Sequence, residues 1–214
     1  MAKRGRVPRI YVLGGTNGAG KSSIGGAAIR AAGAAYFNPD EAAALIQAAN
    51  PAIALSQANG AAWNQGRRLL ERAIAERLDF AIETTLGGRT MADLLERALA
   101  AAIEVRIWYI ALRSAALHIA RVRARVAKGG HDIPEPAIRE RYDHSRLNLT
   151  RLLPKLTELR VYDNSEEANP DAGAAPEPKL LLHMAAGKIV SSCRLAATPQ
   201  WAKPILAAAI KSSR

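Results

Sequence analysis

The chemistry of this chain begins at Gly15-Thr16-Asn17-Gly18-Ala19-Gly20-Lys21-Ser22. The spacing is G-x-x-x-x-G-K-S, the pattern of a phosphate-binding loop. Gly15, Gly18 and Gly20 let the backbone curl so that N–H groups, those of Asn17 and Ala19 among them, converge on an anion. The Lys21 ammonium can reach the β- and γ-phosphates, and the Ser22 hydroxyl can ligate Mg²⁺. Ser23 then carries the cradle into a helix. Helix N-termini favour anions through unpaired N–H groups and the macrodipole. These residues predict binding of a nucleoside triphosphate, with ATP and Mg²⁺ as the expected cofactors.

Phosphoryl transfer needs further groups: a carboxylate near the metal or the attacking hydroxyl, and cations around the phosphate oxygens. No strand ends in four apolar residues followed by Asp. The best-placed acids are Asp40, after Ala34-Ala35-Tyr36-Phe37, and Glu83, after Asp79-Phe80-Ala81-Ile82. Asp40 reads equally as a general base for a substrate hydroxyl and as a helix N-cap. Glu83 can bind substrate or hold Mg²⁺ through water, or be a plain polar strand end. Thr84 and Thr85 are ordinary strand residues by default.

Cations come from the middle of the chain. Arg121, Arg123 and Arg125 fan across nearly half of a helix, most of them as a solvated face. Gly129-Gly130 breaks that helix, and Arg139 and Arg141 follow on the next. The expectation is a helical flap over about 114–153, with one or two of Arg125, Arg139 and Arg141 on the phosphates. His131 in the turn can touch substrate, though a loop histidine is usually just exposed. Cys193 has no His or acid at an informative spacing and reads as buried and inert.

The elements must carry these groups to one place. Arg9–Leu13 is an apolar, β-branched run that suits a buried strand, and Ser23–Ala32 suits a helix. Residues 34–37, 79–83, 105–112 and 159–164 are four more strands, separated by helical stretches at about 41–49, 52–78, 91–102, 114–127 and 134–153. Trp63, Leu70, Ile74 and Leu78 give the 52–78 helix an apolar face at helical spacing. Asn169–Pro178 reads as a surface loop, with Asn164 and Ser165 placed where an adenine pocket could form. Leu180–His183 and Ile189–Ser192 flank a Gly-containing turn as a β-hairpin on the sheet edge, before a short helix at 201–211. Alternating strands and helices imply an α/β fold of the P-loop class: a mainly parallel five-stranded sheet with helices on both faces. The chain reads as a single domain over 1–214, with the hairpin and helix as its tail. Ligands of such sheets sit at the carboxyl ends of the strands, where the loop, Asp40 and Glu83 all fall.

Bulk properties agree. At 214 residues and 49% hydrophobic, the chain can bury a core. No apolar run approaches a membrane span, and the basic N-terminus lacks the apolar core of a signal peptide. With Cys193 alone no intramolecular disulfide forms, which suits a cytoplasmic location. The net charge of +11 favours anionic partners, and 113–155 holds ten Lys/Arg against four Asp/Glu, a local net of +6. Tyr142 is the sole aromatic there, so the stacking platforms of a single-strand binder are missing and nucleic acid is not expected. The leading expectation is a small-molecule kinase. The alternative is a nucleotide-dependent ATPase or switch acting on a protein or nucleic acid, suggested by the charge and by the absence of a signature for any one substrate.

Four segments taken in order resemble the zeta toxin family, in particular its compact bacterial branch. They are Gly14–Ser22, Phe37-Asn38-Pro39-Asp40, Glu83-Thr84-Thr85-Leu86-Gly87-Gly88-Arg89 and Arg121–His131, within roughly residues 9–165. The resemblance implies a kinase-like P-loop fold with strand order 2-3-1-4-5. It implies ATP/Mg²⁺-dependent phosphorylation of a nucleotide-sugar hydroxyl, UDP-N-acetylglucosamine in the family's toxins, with an antitoxin protein as a candidate partner. Asp40 would be the base, with Lys21, Arg125 and Arg141 assisting at the phosphates. Glu83, Thr85 and Arg89 would hold the substrate. Here Arg89 stands two residues later than in the family's Glu-x-Thr-x-Arg. The flap has Gly-Gly-His-Asp-Ile-Pro where the toxins place an arginine.

Overall fold

A computed structural model describes residues 6–22, 24, 35–166 and 177–213. Ser23, nearly all of the expected helix at 23–32, and most of the expected loop at 169–178 lie outside the described residues. The strands are β1 (Arg9–Gly14), β2 (Ala35–Phe37), β3 (Phe80–Thr84), β4 (Glu104–Ala111), β5 (Glu158–Asp163), β6 (Lys179–Ala185) and β7 (Lys188–Ser192). They form one sheet in the order β2-β3-β1-β4-β5-β6-β7. The first five are mutually parallel, and β6 and β7 add antiparallel at the β5 edge. The sheet therefore has seven strands, because the hairpin expected at the sheet edge extends the five parallel ones.

Helices α1 (Pro39–Ala49), α2 (Leu55–Ala75), α3 (Arg89–Ala100), α4 (Ala115–Val126), α5 (Glu135–Leu152) and α6 (Lys203–Ser212) connect and cover the sheet. Side chains alternate along β1. Ile10 and Val12 join the main core with Leu70, Leu95, Ile107, Leu149 and Ile205. Leu13 joins a smaller cluster on the other face with Ala81 and Ile110, against which Tyr11 and Ile24 pack.

Two expectations change. Helix α2 is shorter than 52–78, and Arg77 beyond its end has a positive φ of 55°. Its buried stripe is Ala58, Ala62, Gly66, Leu70 and Ala73, all small but Leu70, and at Gly66 the helix lies so close to β2 that a Cβ would stand 2.7 Å from the Phe37 ring. Trp63 stands off that stripe and is 41% exposed, and Leu78 is also exposed. Cys193, just after β7, is half-buried rather than buried; its Sγ lies 3.2 Å from the Thr198 hydroxyl.

Strand register sets the site. Gly14 stands level with Thr84 on one side and Tyr109 on the other, and Phe37 is level with Ile82. The chain thus leaves β1, β2 and β3 at one edge, and the phosphate loop, Asn38–Asp40 and Glu83–Thr85 emerge side by side.

Candidate active site

The phosphate loop is held by partners distant in sequence. Gly15 has φ of 137°, and a Cβ there would lie 1.9 Å from the Ile110 carbonyl oxygen of β4. Only glycine fits between the two strand ends. The Asn17 carbonyl accepts from His118 Nδ1 at 2.8 Å, while His118 Nε2 accepts the Leu112 N–H at 3.3 Å. These partners place the imidazole proton on Nδ1. His118 is buried on α4, and that burial pushes its pKa down to about 4, with nearby Lys21 and Arg121 adding to the effect. A neutral imidazole therefore braces the loop. Asn164 Nδ2 donates to the Ala19 carbonyl at 2.9 Å. Ser165 accepts from the Arg113 N–H at 2.7 Å and donates to Asp163. The polar groups expected to shape an adenine pocket are engaged in supporting the loop and the strand end.

Glu83 closes the floor. Its carboxylate is 3.6 Å from Lys21 Nζ, and both side chains are only 8% exposed. It accepts from the Ser22 hydroxyl at 2.9 Å and from the Tyr36 hydroxyl at 3.0 Å. A buried carboxylate with an ammonium and two hydroxyl donors is fully compensated. Glu83 thus sits against the loop's own Lys-Ser pair.

Asp40 is not the helix cap. Asn38 caps α1, its Oδ1 accepting the Asp40 N–H at 2.9 Å, and Pro39 opens the first turn. This leaves the Asp40 carboxylate half-exposed, 3.7 Å from Arg125 Nη1 and 3.8 Å from His131 Nε2. Arg125 also donates to the His131 carbonyl at 3.1 Å, so the turn after α4 folds back over Asp40. His131 is half-buried in this turn rather than exposed.

Arg141 reaches the loop from α5, donating from Nη1 to Asn17 Oδ1 at 2.9 Å while its carbonyl accepts the Thr16 hydroxyl at 3.4 Å. Gly87 permits this approach, since a Cβ there would meet Arg141 Cγ at 2.6 Å and Cβ at 2.9 Å. The same helix grips the loop after β3: Ser145 donates to the Thr85 carbonyl at 2.6 Å and Asn148 to the Leu86 carbonyl at 2.7 Å. Leu86 is held there at a positive φ of 52°.

Two cavities open on this edge. One, of about 230 Å³, is lined by the phosphate loop, Asp40, Glu83, Arg121 and Arg125. The other, of about 400 Å³, lies between Asn38–Asp40, the α2 residues Asn59, Gly60 and Trp63, the segment Glu83–Thr85, the residues Gly88, Thr90 and Met91, the turn His131–Pro134, and Arg141. Asn17, Lys21, Asp40 and Glu83 line both.

Of the residues singled out from sequence, the phosphate loop, Asp40, Glu83, Thr85, Arg125 and Arg141 come together at these cavities. Arg89 does not; it is the exposed first residue of α3 and lines neither, its two-residue delay carrying it past the cavity wall. Arg139 and Arg123 pair with Glu135 on the exposed side of the helices. Arg121, His118 and Trp63 were missed as site residues. His118 had a faint signal, a histidine in the buried face Leu117-His118-Ile119 of α4. Trp63 had another, a bulky residue one position off a ladder of Ala and Gly.

Among the described residues no group of three or more His, Cys, Asp and Glu could hold a metal alone. Ser22 and Glu83 are the side-chain oxygens beside Lys21, and Mg²⁺ is commonly bound through one or two such groups completed by phosphate oxygens. Arg125 Nε is buried without a hydrogen-bond partner among the described residues. The residues present fit a nucleotide's phosphates and their metal.

The zeta toxin family model matches residues 1–169. The chain belongs to the zeta toxin family. Its reaction class is that of a kinase. An uncharacterized protein of Haemophilus influenzae is 30% identical over 133 residues, 60% of this chain and 88% of that protein. Among solved structures, the AvrRxo1-ORF1:-ORF2 complex with ATP is similar with a TM-score of 0.66 at 15% identity, over 96% of this chain. This chain spans 64% of the length of that one. The PezAT chromosomal toxin–antitoxin system of Streptococcus pneumoniae is similar with a TM-score of 0.58 at 15% identity, over 98% of this chain and 87% of that one. At these identities the solved structures establish the fold. Among the described residues no helix is long and apolar enough to cross a membrane.

Proposed function

We propose that this zeta-toxin-family kinase transfers the γ-phosphoryl group of ATP to a hydroxyl of a small-molecule acceptor, a nucleotide sugar of the UDP-N-acetylglucosamine type. The observation that carries the reading is the pair of cavities that share Asn17, Lys21, Asp40 and Glu83 as common walls. A donor in the smaller and an acceptor in the larger would meet at those four residues. Bound ATP with Mg²⁺ supplies the phosphoryl group and neutralises its charge.

The chain's own residues do the positioning. The loop N–H groups and Lys21 hold the donor phosphates. Ser22 and Glu83 offer the metal its protein oxygens. Arg121 and Arg125 face the donor cavity as guanidiniums, and Arg141 borders both the loop and the acceptor. Asp40 accepts the proton of the acceptor hydroxyl on a carboxylate oxygen, oriented by Arg125 and His131. The turn His131–Pro134 and Trp63 wall off the acceptor side.

The test is incubation of the full chain with labelled ATP and a panel of nucleotide sugars, nucleotides and base-free sugars, read by mass spectrometry. A phosphorylated nucleotide sugar, absent with Asp40→Ala, is the expected product. ATP hydrolysis without any phosphorylated acceptor sinks the transferase reading.

A protein partner belongs to the same reading, because the PezAT neighbour is a toxin–antitoxin system. The chain would then act as a toxin that an antitoxin restrains. Growth arrest on expression of the chain, relieved by Lys21→Ala, is the expected result; arrest that persists with Lys21→Ala removes the toxin role from the kinase site.

A further inference from the structure

The α2 wall of the acceptor cavity is unlike the rest of the site. Of the ionisable groups lining it, Lys21, Asp40 and Glu83 are shared with the donor cavity, His131 lies 3.8 Å from Asp40 with Asp132 beside it in the turn, and Arg141 reaches Asn17. The wall from α2 contributes Asn59, Gly60 and Trp63, with no charge. Trp63 is 41% exposed, whereas Trp201 is buried and Trp108 packs against Tyr162 at 6.4 Å with Arg160 over its ring at 5.4 Å. Among the described residues Trp63 has no aromatic or cationic partner. Gly60, three residues before it on the helix, has nothing within 4 Å of where a Cβ would stand. The space beside the indole is thus left open by the sequence itself.

A part-exposed indole at a cavity wall offers apolar area and a π-system that a planar ligand would cover favourably. We propose that Trp63 is the stacking platform for the heteroaromatic base of the acceptor, and so the residue that selects a nucleotide over a base-free sugar. The idea rests on the phosphotransferase reading above for the direction of the acceptor, whose hydroxyl lies at Asp40 and whose base lies on Trp63. Asn59 stands on the same wall with an amide that can donate to and accept from the edge of a stacked base. A cavity with charged groups shared with the donor side and an uncharged wall from α2 matches a ligand with one charged, reactive end and one neutral, planar end. Stacking alone tolerates any base, because each has a π-face.

The test reads binding without turnover. With the donor side filled by a non-hydrolysable ATP analogue, the full chain is titrated with uridine diphosphate and with N-acetylglucosamine 1-phosphate. Tryptophan emission and calorimetry are followed together. Uridine diphosphate is expected to quench the wild-type emission. Trp63→Phe should still bind it but lose the quench, and Trp63→Ala should bind it roughly 5- to 150-fold more weakly, the range for one stacked base. The base-free sugar phosphate should bind wild type and Trp63→Ala alike. Equal uridine diphosphate affinity in wild type and Trp63→Ala, or a quench that survives in Trp63→Phe, overturns the proposal. A quench by the base-free sugar phosphate equal to that by uridine diphosphate overturns the assignment to the base. Failure of the transferase reading is separable, because an inert chain that shows the Trp63-dependent quench refutes transfer alone. In an active chain, Trp63→Ala should raise the KM of the acceptor while leaving the KM of ATP unchanged.

Discussion

The two cavities are built in opposite ways. On the donor side each supporting group has a partner from a distant segment: the Asn17 carbonyl with His118, the Asn17 side chain with Arg141, the Ala19 carbonyl with Asn164, and Lys21 and Ser22 with Glu83. On the acceptor side Trp63 and Gly60 of α2, and Gly88 and Thr90 at the start of α3, are exposed residues. The donor site is preorganised for phosphates, which every nucleotide shares. The acceptor site is set by side chains that can change without disturbing the loop, and there a kinase fold adapts to its substrate.

Substitutions can break this contrast. The largest effect belongs to the seam. Asp40→Asn should lower kcat by about 10²–10⁴-fold, the range for a lost acid–base group, with little change in the affinity for either substrate. A kcat within a few-fold of wild type shows that Asp40 is not the base. Gly15→Ala should be next. Its Cβ meets the Ile110 carbonyl at a backbone angle that disfavours side chains, so it should cost about 1–3 kcal/mol or more in stability and weaken nucleotide binding. Denaturant unfolding and a nucleotide titration check both.

The donor brace also predicts a pH dependence. The folded pKa of His118, about 4, lies below its ordinary 6.5, so the unfolded chain takes up the proton first on acidification. The contribution of His118 is complete above about pH 6.5 and is lost as pH falls from there through about 4, amounting to about 3 kcal/mol. A His118→Gln chain should show a shallower loss over that window in urea titrations; an unchanged slope removes His118 as the cause. The smallest effect is expected at Arg89. Exposed and outside both cavities, its replacement by Ala should change the acceptor kcat/KM by less than about twofold, as for an ordinary surface position. A large loss would place the acceptor's path over the start of α3.

Much of the fold could be read before the structure. The β1–loop passage and the alternation of strands with helices have local signatures in β-branched runs, glycine spacing and helical periodicity. Asp40 and Glu83 were legible because one follows and the other ends a strand on the loop's side of the sheet. The bracing of the loop was not. His118, Asn164 and Arg141 act over separations of more than a hundred residues, which no local pattern encodes. Trp63 was read as core because hydrophobic spacing counts any large apolar residue as inward, whereas the real stripe is Leu70 with small residues that the spacing overlooks. The cap at Asn38 was hidden for a different reason, since Asn38 and Asp40 are both good caps and only the bond to the Asp40 N–H distinguishes them.

One helix carries a further consequence. Arg141, Ser145, Asn148 and Leu149 lie on one face of α5, touching in turn the phosphate loop, the segment after β3 and the core. From Arg141 to Leu149 the helix advances about 12 Å, so it serves as a ruler for the spacing of the cleft. A single residue inserted between Arg141 and Ser145 would rotate one anchor against the next by about 100°, and no side-chain rearrangement could restore both. Length changes should be accepted in the Ala186-Gly187 turn of the hairpin, far from this ruler, and rejected within those nine positions even when the inserted residue is alanine.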